Sequence, residues 1–490
     1  EGNKPEERIT RMEAAIAESP DEMKPVMDAI LANWYWHYFQ QNRWRFVRRT
    51  ATAQPPGEDF TTWDLPRLFT EIDNQFRRAL SAEEQLKTIA VADYDRLLSK
   101  GTMPDAYRPT LYDFLAHEAL EFYGSGEQAA AKAEDAYDLQ ADSPIFDATP
   151  AFIEWNIDTT DADSLTAKAI RLYQNLLKFH RDDDDPSALL DVDLLRLRFG
   201  YNHAFGEDKS ARYKDALERF AGEWRSHEIS ASALFHWAGV LQQEGQLVEA
   251  HELASRGERA FPDSLGGRQC YNLIQQIEAK SVDVTTERVW SDPWPTLDVR
   301  YRNVTKIYFR MMKHDWLERL GGRYRPEQVN RDDRLSLLSE TPQREWSATL
   351  PPTDDYRERV ERLPVPEDLP PGFYILIASA DPGFSDSDNQ VSFTDFWVSD
   401  LAIVTRSRWG ERKVEGFVLR AAQGEPIANV QVQAWLRGRN RVFYAGPTTR
   451  TDANGLFSLR VDGDHGLLIH AVHGEEQLAT GDELYLRKYD

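Results

Sequence analysis

The 490-residue sequence contains one cysteine, Cys270, which excludes an internal disulfide and a multi-cysteine metal site. It has no run approaching the ~20 consecutive apolar residues that a membrane-spanning helix needs. Positive charge is in deficit: 58 Lys and Arg stand against 82 Asp and Glu, a formal net charge of -24. Binders of nucleic acid and anionic membranes gather phosphates with surplus Lys and Arg, so this balance argues against nucleic acid as a partner. No Gly-rich phosphate loop is present, since Gly321-Gly322 lacks a following Lys-Ser/Thr. The chain opens Glu1-Gly2-Asn3, with no signal peptide and no initiating Met, and is expected to be an excised piece of a longer protein.

What is present divides in two. Up to about Lys280, apolar residues recur at helical spacing, and beyond it they alternate at period two among many Pro and Gly. The expected fold is therefore multidomain, α then β. An array of helical hairpins over residues 1–283 precedes two antiparallel β-sandwiches over 284–406 and 407–490.

In the helical part, Ser19-Pro20-Asp21-Glu22 reads as a helix start, with Ser19 as N-cap and Glu22 closing a capping box. The aromatic stretch "LANWYWHYFQQNRWRFVRRT" follows. Met27, Ile30, Leu31, Trp34 and Tyr38 form one stripe, and Tyr35, Phe39 and Phe46 a second, as on a helix wedged between two neighbours. Arg43, Arg45, Arg48 and Arg49 close the helix, where cations suit the macrodipole. In "SALFHWAGVLQQEGQLVEAHELASRGERAFPDS", Ala238, Leu241, Gly245, Ala250 and Pro262 occupy the small, large, turn, small and terminating positions of a tetratricopeptide-like hairpin. Trp34, Tyr38 and Trp237 are expected to be buried. "HRDDDDPS" (His180–Ser187) reads as a solvated loop.

In the β part, Leu297, Val299 and Tyr301 alternate with charged residues, and "GFYILIAS" is apolar on both faces, as for a strand internal to a sandwich. Asp315 to Leu363 reads as a polar loop insertion with one short helix. "FTDFWVSDLAIVTR" is a strand pair. The most specific segment is "VEGFVLRAAQGEPIANVQVQAW" followed by "TTRTDANGLFSLRV". Gly424 and Pro426 set its first turn. Asp452, Asn454 and Gly455 set the second, with Asn454 and Gly455 suited to positive φ.

Several constellations fall short of a catalytic or metal site. His117-Glu118-Ala119-Leu120-Glu121 has Glu where a zinc-protease helix needs its second His. His470 and His473 fall on opposite faces of one strand, which opposes joint ligation with His465. Cys270 has no neighbouring base and fits a packed core thiol. Ser385–Asn389 alternates oxygen ligands without the Gly and distal Glu of a calcium loop. Asn303-Val304-Thr305 is a formal glycosylation sequon. The sequence thus assigns no catalytic, cofactor or metal residue.

The Gly-x-Pro-Ile…Thr-Asp-x-Asn-Gly-x-Phe pattern is shared by carboxypeptidase-regulatory-like and macroglobulin-type domains. With "YRNVTKIYFRMM", "GFYILIAS", "FWVSDLAIVTR" and "FTTWDLPRLFTEID" (Phe60–Asp73), the chain resembles the N-terminal portion of a bacterial alpha-2-macroglobulin family protein. That resemblance implies a non-catalytic scaffold in a protease trap, exported to the periplasm or cell surface, with proteases engaged through the full-length parent. The only cysteine reads Cys270-Tyr271-Asn272-Leu273, not the family's Cys-x-Glu-Gln thioester, so bait and any thioester are expected beyond Asp490. The alternative is a protein-interaction module: a tetratricopeptide-like groove for a protein or peptide partner, with the sandwiches as spacers.

Overall fold

The computed structural model describes residues 4–47, 57, 59–96, 101, 103–125, 137–321, 331–385, 389–407, 412–438, 442–461 and 465–486. Arg48, Arg49, Gly322 and positions 386–388 of the Ser385–Asn389 run lie outside these. The chain forms two compact units, Glu1–Ile274 and Gln275–Asp490.

The first unit is helical. It begins with α1 (Pro5–Glu18), α2 (Lys24–Val47), α3 (Leu65–Leu80), α4 (Glu83–Leu86), α5 (Leu111–Tyr123) and α6 (Thr149–Glu154). There follow α7 (Leu165–His180), α8 (Ser187–His203), α9 (Lys209–Glu223), α10 (Ile229–Gln243), α11 (Leu247–Ala260) and α12 (Leu265–Glu278). Neighbours in sequence pack as hairpins: α1 on α2, α2 on α3, α7 on α8, α9 on α10 and α10 on α11. Buried Ala238 and Ala250 let α10 and α11 approach closely, and Gly245 turns between them at φ +76°.

Residues 31–47 of the aromatic stretch lie within α2. Its second stripe, Tyr35, Phe39 and Phe46, is buried: Tyr35 stacks on Trp63 at 5.9 Å, and Phe39 meets Phe69 edge-on at 5.1 Å. Ser19 does not start this helix. It ends α1, its hydroxyl donating to the Ala15 carbonyl, and α2 begins at Lys24 after a turn.

A buried guanidinium organises the far side of this unit. Arg196 of α8 is 1% exposed; it pairs with Asp193 and donates to the carbonyls of Ile145 (2.7 Å) and Asp147 (2.9 Å). Arg212 donates to Ala141, to Ser143 (3.1 Å) and to the Asp147 carboxylate (2.7 Å), and Arg219 to the Phe146 carbonyl (2.7 Å). Three arginines thus satisfy an irregular segment whose carbonyls would otherwise be stranded beside the core.

The second unit comprises β1 (Ser281–Thr285), β2 (Val289–Trp290), β3 (Thr296–Arg302), β4 (Lys306–His314), α13 (Trp316–Gly321), α14 (Arg331–Ser339) and β5 (Arg344–Thr349). It continues with β6 (Arg359–Pro364), β7 (Gly372–Ser379), β8 (Ser392–Val398), β9 (Leu401–Ser407), β10 (Lys413–Arg420) and β11 (Gln431–Arg437). The last strands are β12 (Phe443–Arg450), β13 (Leu456–Arg460), β14 (His465–His473), β15 (Glu476–Ala479) and β16 (Leu484–Leu486). They form sheets in the orders β1-β3-β6, β2-β8-β7-β4-β5, β13-β10-β9 and β12-β11-β14-β15, with β16 also on β14. Among the described residues, every pairing of these strands is antiparallel except β2 with β8.

One core lies between the first two sheets and includes Val299, Tyr301, Phe309, Tyr374, Leu376 and Phe396. The opposite face of β7 gives Phe373, Ile375 and Ile377 to a second core, shared with Val414, Val432, Phe457 and Ile469. All eight residues of β7 are buried because both faces of its sheet are covered. The seam on that second face is aromatic: Trp397 lies 5.1 Å from Phe373 and 6.2 Å from His470, and Trp316 of α13 lies 4.8 Å from His470. Burial lowers the His470 pKa to about 4, so the imidazole is neutral.

The chain crosses from the five-stranded sheet to the β13-β10-β9 sheet at Ser399-Asp400. The Glu476 carboxylate accepts from Ser399 Oγ (2.8 Å) and the Asp400 amide (3.1 Å), while Arg420 pairs with Asp400 at 3.0 Å. Expected boundaries shift accordingly. The 283/284 boundary falls inside β1, which pairs with β3, and 406/407 falls inside β9, which pairs with β10. The Asp315–Leu363 excursion is more than a loop with one helix: it holds α13, α14 and the edge strands β5 and β6. Edge strands expose much of their length, so they read as polar.

The sandwich turns show which residues carry them. Gly424 has φ +70°, and its amide donates to the Arg420 carbonyl, while Pro426 bridges Leu419. Asp452 Oδ1 accepts from the Asn454 and Leu456 amides, both at 2.9 Å, and Gly455 has φ +71°. Asn454 is exposed and is not at positive φ, contrary to expectation; Gly455 alone takes that role. A Cβ on Gly455 would lie 2.7 Å from the Val418 carbonyl oxygen. Buried Thr451, which opens the Thr-Asp-x-Asn-Gly turn, accepts from the Val430 amide (2.9 Å) and donates to the Ile427 carbonyl (2.7 Å). Gly455→Ala is expected to cost about 1–3 kcal/mol and Asp452→Ala about 1 kcal/mol, with Asn454→Val changing stability by under about 0.5 kcal/mol. Urea unfolding followed by tryptophan fluorescence checks the order.

Candidate functional site

The polar groups that converge in the helical unit lie on α5, α7 and α8. Thr110 caps α5 in a capping box: Asp113 Oδ2 accepts from the Thr110 amide and hydroxyl, both at 2.8 Å. The other oxygen, Asp113 Oδ1, lies 2.7 Å from His180 Nε2, and Asp183 Oδ2 lies 2.7 Å from His180 Nδ1. Both ring nitrogens face carboxylates, so both donate, and the ring is an imidazolium. Burial disfavours that charge, but the hydrogen bonds and charges of Asp113 and Asp183 outweigh it and raise the His180 pKa. The "HRDDDDPS" loop is thus not wholly solvated: its aspartates are exposed, but His180 is buried and anchors α7 to the start of α5.

One turn along α5 stands the incomplete zinc-protease pattern. His117 Nδ1 lies 2.7 Å from the Asp113 carbonyl, so Nδ1–H donates, and the second ring nitrogen is Nε2. That atom lies 3.5 Å from Asp191 Oδ2, and Arg108 Nε lies 3.8 Å from the same oxygen. None of the three atoms has a hydrogen-bond partner. Glu118 accepts from Asn33 Nδ2 at 2.7 Å, and burial raises its pKa.

His117, Glu118 and Glu121 of α5 line a cleft of about 390 Å³ with Arg198, Asn202 and His203 of α8, and Arg108 joins them from the turn before α5. Burial lowers the His203 pKa. A second hollow of about 420 Å³ is more apolar, with Ile153, Leu190, Leu197, Phe220 and Trp224 in its walls. No group of three or more His, Cys, Asp or Glu among the described residues is placed to hold a metal ion.

The residues singled out in the sequence do not form one site. Tyr38 is buried within α2 and donates to Glu6. Trp34 is only half-buried, because its ring faces α1, where the Arg8 guanidinium covers it at 4.7 Å. Trp237 is also half-buried, the large indole being incompletely covered on α10. Gly424, Pro426, Asp452, Asn454 and Gly455 are turn residues of the last sandwich. Cys270 is buried, its thiol 3.4 Å from the Ala231 carbonyl, and burial pushes its pKa up to about 12. The cleft's basic wall was missed, since Arg198 and Asn202 carry no sequence signature. The Asp193-x-x-Arg196 spacing between apolar neighbours on α8 was a readable sign of a buried ion pair.

The sequence matches no protein-family model and no curated protein. Among solved structures it is similar to native alpha-2-macroglobulin from Escherichia coli. The fragment spanning domains NIE-MG1 is 17% identical, with 41% of this chain and 97% of that one covered and a TM-score of 0.34. The fragment spanning MG0-NIE-MG1 is 16% identical, with 43% and 64% covered and a TM-score of 0.33. A tetra-tandem repeat from the extending region of a large adhesion protein is 14% identical, with 43% and 50% covered and a TM-score of 0.17. At these TM-scores the likenesses carry no argument of their own.

Two outcomes are expected. The folded His180 pKa is raised, so its stabilisation is complete below the unfolded value of about 6.5 and is lost as pH rises through the folded value. Thermal melts of Asp183→Asn should therefore differ most from the parent below that pH and converge with it at higher pH. Cys270 should resist a thiol-specific disulfide reagent in the native chain and react fully in denaturant.

Proposed function

We propose that this chain is the non-catalytic N-terminal scaffold of an alpha-2-macroglobulin-like endopeptidase inhibitor, exported to the periplasm or cell surface. Bait and any thioester lie in the parent's remaining chain, and proteases are engaged there. The observation that carries the reading is the pair of turns in the last sandwich. Gly424-x-Pro426-Ile427 and Thr451-Asp452-x-Asn454-Gly455-x-Phe457 set its two corners, as the sequence resemblance requires. The stacked β-sheets support it, being built for rigidity, with their cores closed by side chains.

The apolar hollow beside α8 and α9 favours a second reading, a peptide-binding helical array with the sandwiches as spacers. The test mixes the full-length parent with serine proteases of different specificity. A trap leaves cleavage of a small chromogenic peptide intact and abolishes cleavage of casein, whereas the 490-residue chain alone does neither. Unimpaired casein cleavage in the presence of the parent, or proteolysis by this chain itself, overturns the scaffold reading.

A further inference from the structure

The cleft between α5 and α8 holds chemistry that helix packing does not use. Its α5 wall is acidic, with Glu118 and Glu121 a helical turn apart, and its α8 wall is basic and amide-bearing, with Arg198 and Asn202. Among the described residues, Glu121 and Arg198 make no hydrogen bond or ion pair, and Glu118 bonds only to Asn33. Opposite charges line one cleft of about 390 Å³ without closing on each other, because each is fixed on its own packed helix.

The buried lining repeats the pattern. His117 is 6% exposed, and its Nε2 and the Nε of Arg108 both face Asp191 Oδ2, at 3.5 and 3.8 Å, without a hydrogen bond from either. Such unmatched groups are costly unless something pairs with them. A simple anion would meet Glu118 and Glu121, and a simple cation would meet Arg108 and Arg198. Only a ligand with separated positive and negative ends satisfies both walls.

We propose that this cleft binds a small zwitterion, a free α-amino acid or a short unblocked peptide. The ammonium group lies toward Glu118 and Glu121, and the carboxylate toward Arg198 and Arg108. Its volume falls in the range of roughly 300–1,000 Å³ common for small-molecule sites. The inference is independent of the protease-trap reading.

Titration calorimetry on the intact chain tests it with the common amino acids, alanine di- and tripeptides, and their N-acetyl and C-amide forms. At least one unblocked ligand should bind, and blocking either end should weaken it about tenfold or more. Arg198→Met should remove discrimination against the C-amide, and Glu121→Gln that against the N-acetyl form. Both positions are exposed, and circular dichroism verifies folding. If a variant fails to fold, the blocked ligands on the parent chain decide. No binding at millimolar concentration across the panel, or equal binding of blocked and unblocked forms, overturns the proposal.

Discussion

The β unit depends on one strand having no free face. β7 presents Tyr374, Leu376 and Ala378 to one core and Phe373, Ile375 and Ile377 to the other, while its edges are paired with β4 and β8. Covering both faces of a sheet requires a second layer on each side, and the remaining strands supply them. The β1-β3-β6 sheet closes one side. On the other, Trp397 reaches the buried His470 of β14, and α13 adds Trp316 to the same seam. Side chains in that seam belong equally to both sandwiches, which therefore share one hydrophobic cluster.

The helical unit uses a different currency of order. Its hairpins bury apolar faces in the usual way, but their register is fixed by buried charge. Asp113 caps its own helix with one oxygen and holds His180 with the other. Arg196, Arg212 and Arg219 hold the carbonyls of the segment from Ala141 to Asp147. Removing one member of such a set leaves a buried charge without its partner, which is more damaging than losing a methyl group. These pairs also keep α5 and α8 in place, and so keep the walls of the cleft apart.

The sequence was most informative where a physical period is local. The change from helical to strand spacing, the inward faces of β10 and β13, and the hairpin around Gly245 could all be read from neighbouring residues. Trp34 could not: its burial depends on which helix faces it, and that helix offers Arg8. Ser19 was misassigned because a serine that ends one helix and a serine that starts the next look alike when the helices are adjacent. β5 and β6 were hidden by being edges. The cleft was least legible, since its walls join residues from 108 to 203, and the one local signal, the His117–Glu121 spacing, suggested a chemistry that the second glutamate rules out.

The crossing at Ser399-Asp400 bears on how such a chain can change over generations. Glu476, from near the end of the described chain, holds both residues of a two-residue link, and Arg420 holds the second. A link so short and so bound gives recombination no slack at which to cut. Shuffling would have to exchange the paired sandwiches as one inherited block, or also rebuild the distant strand that carries Glu476.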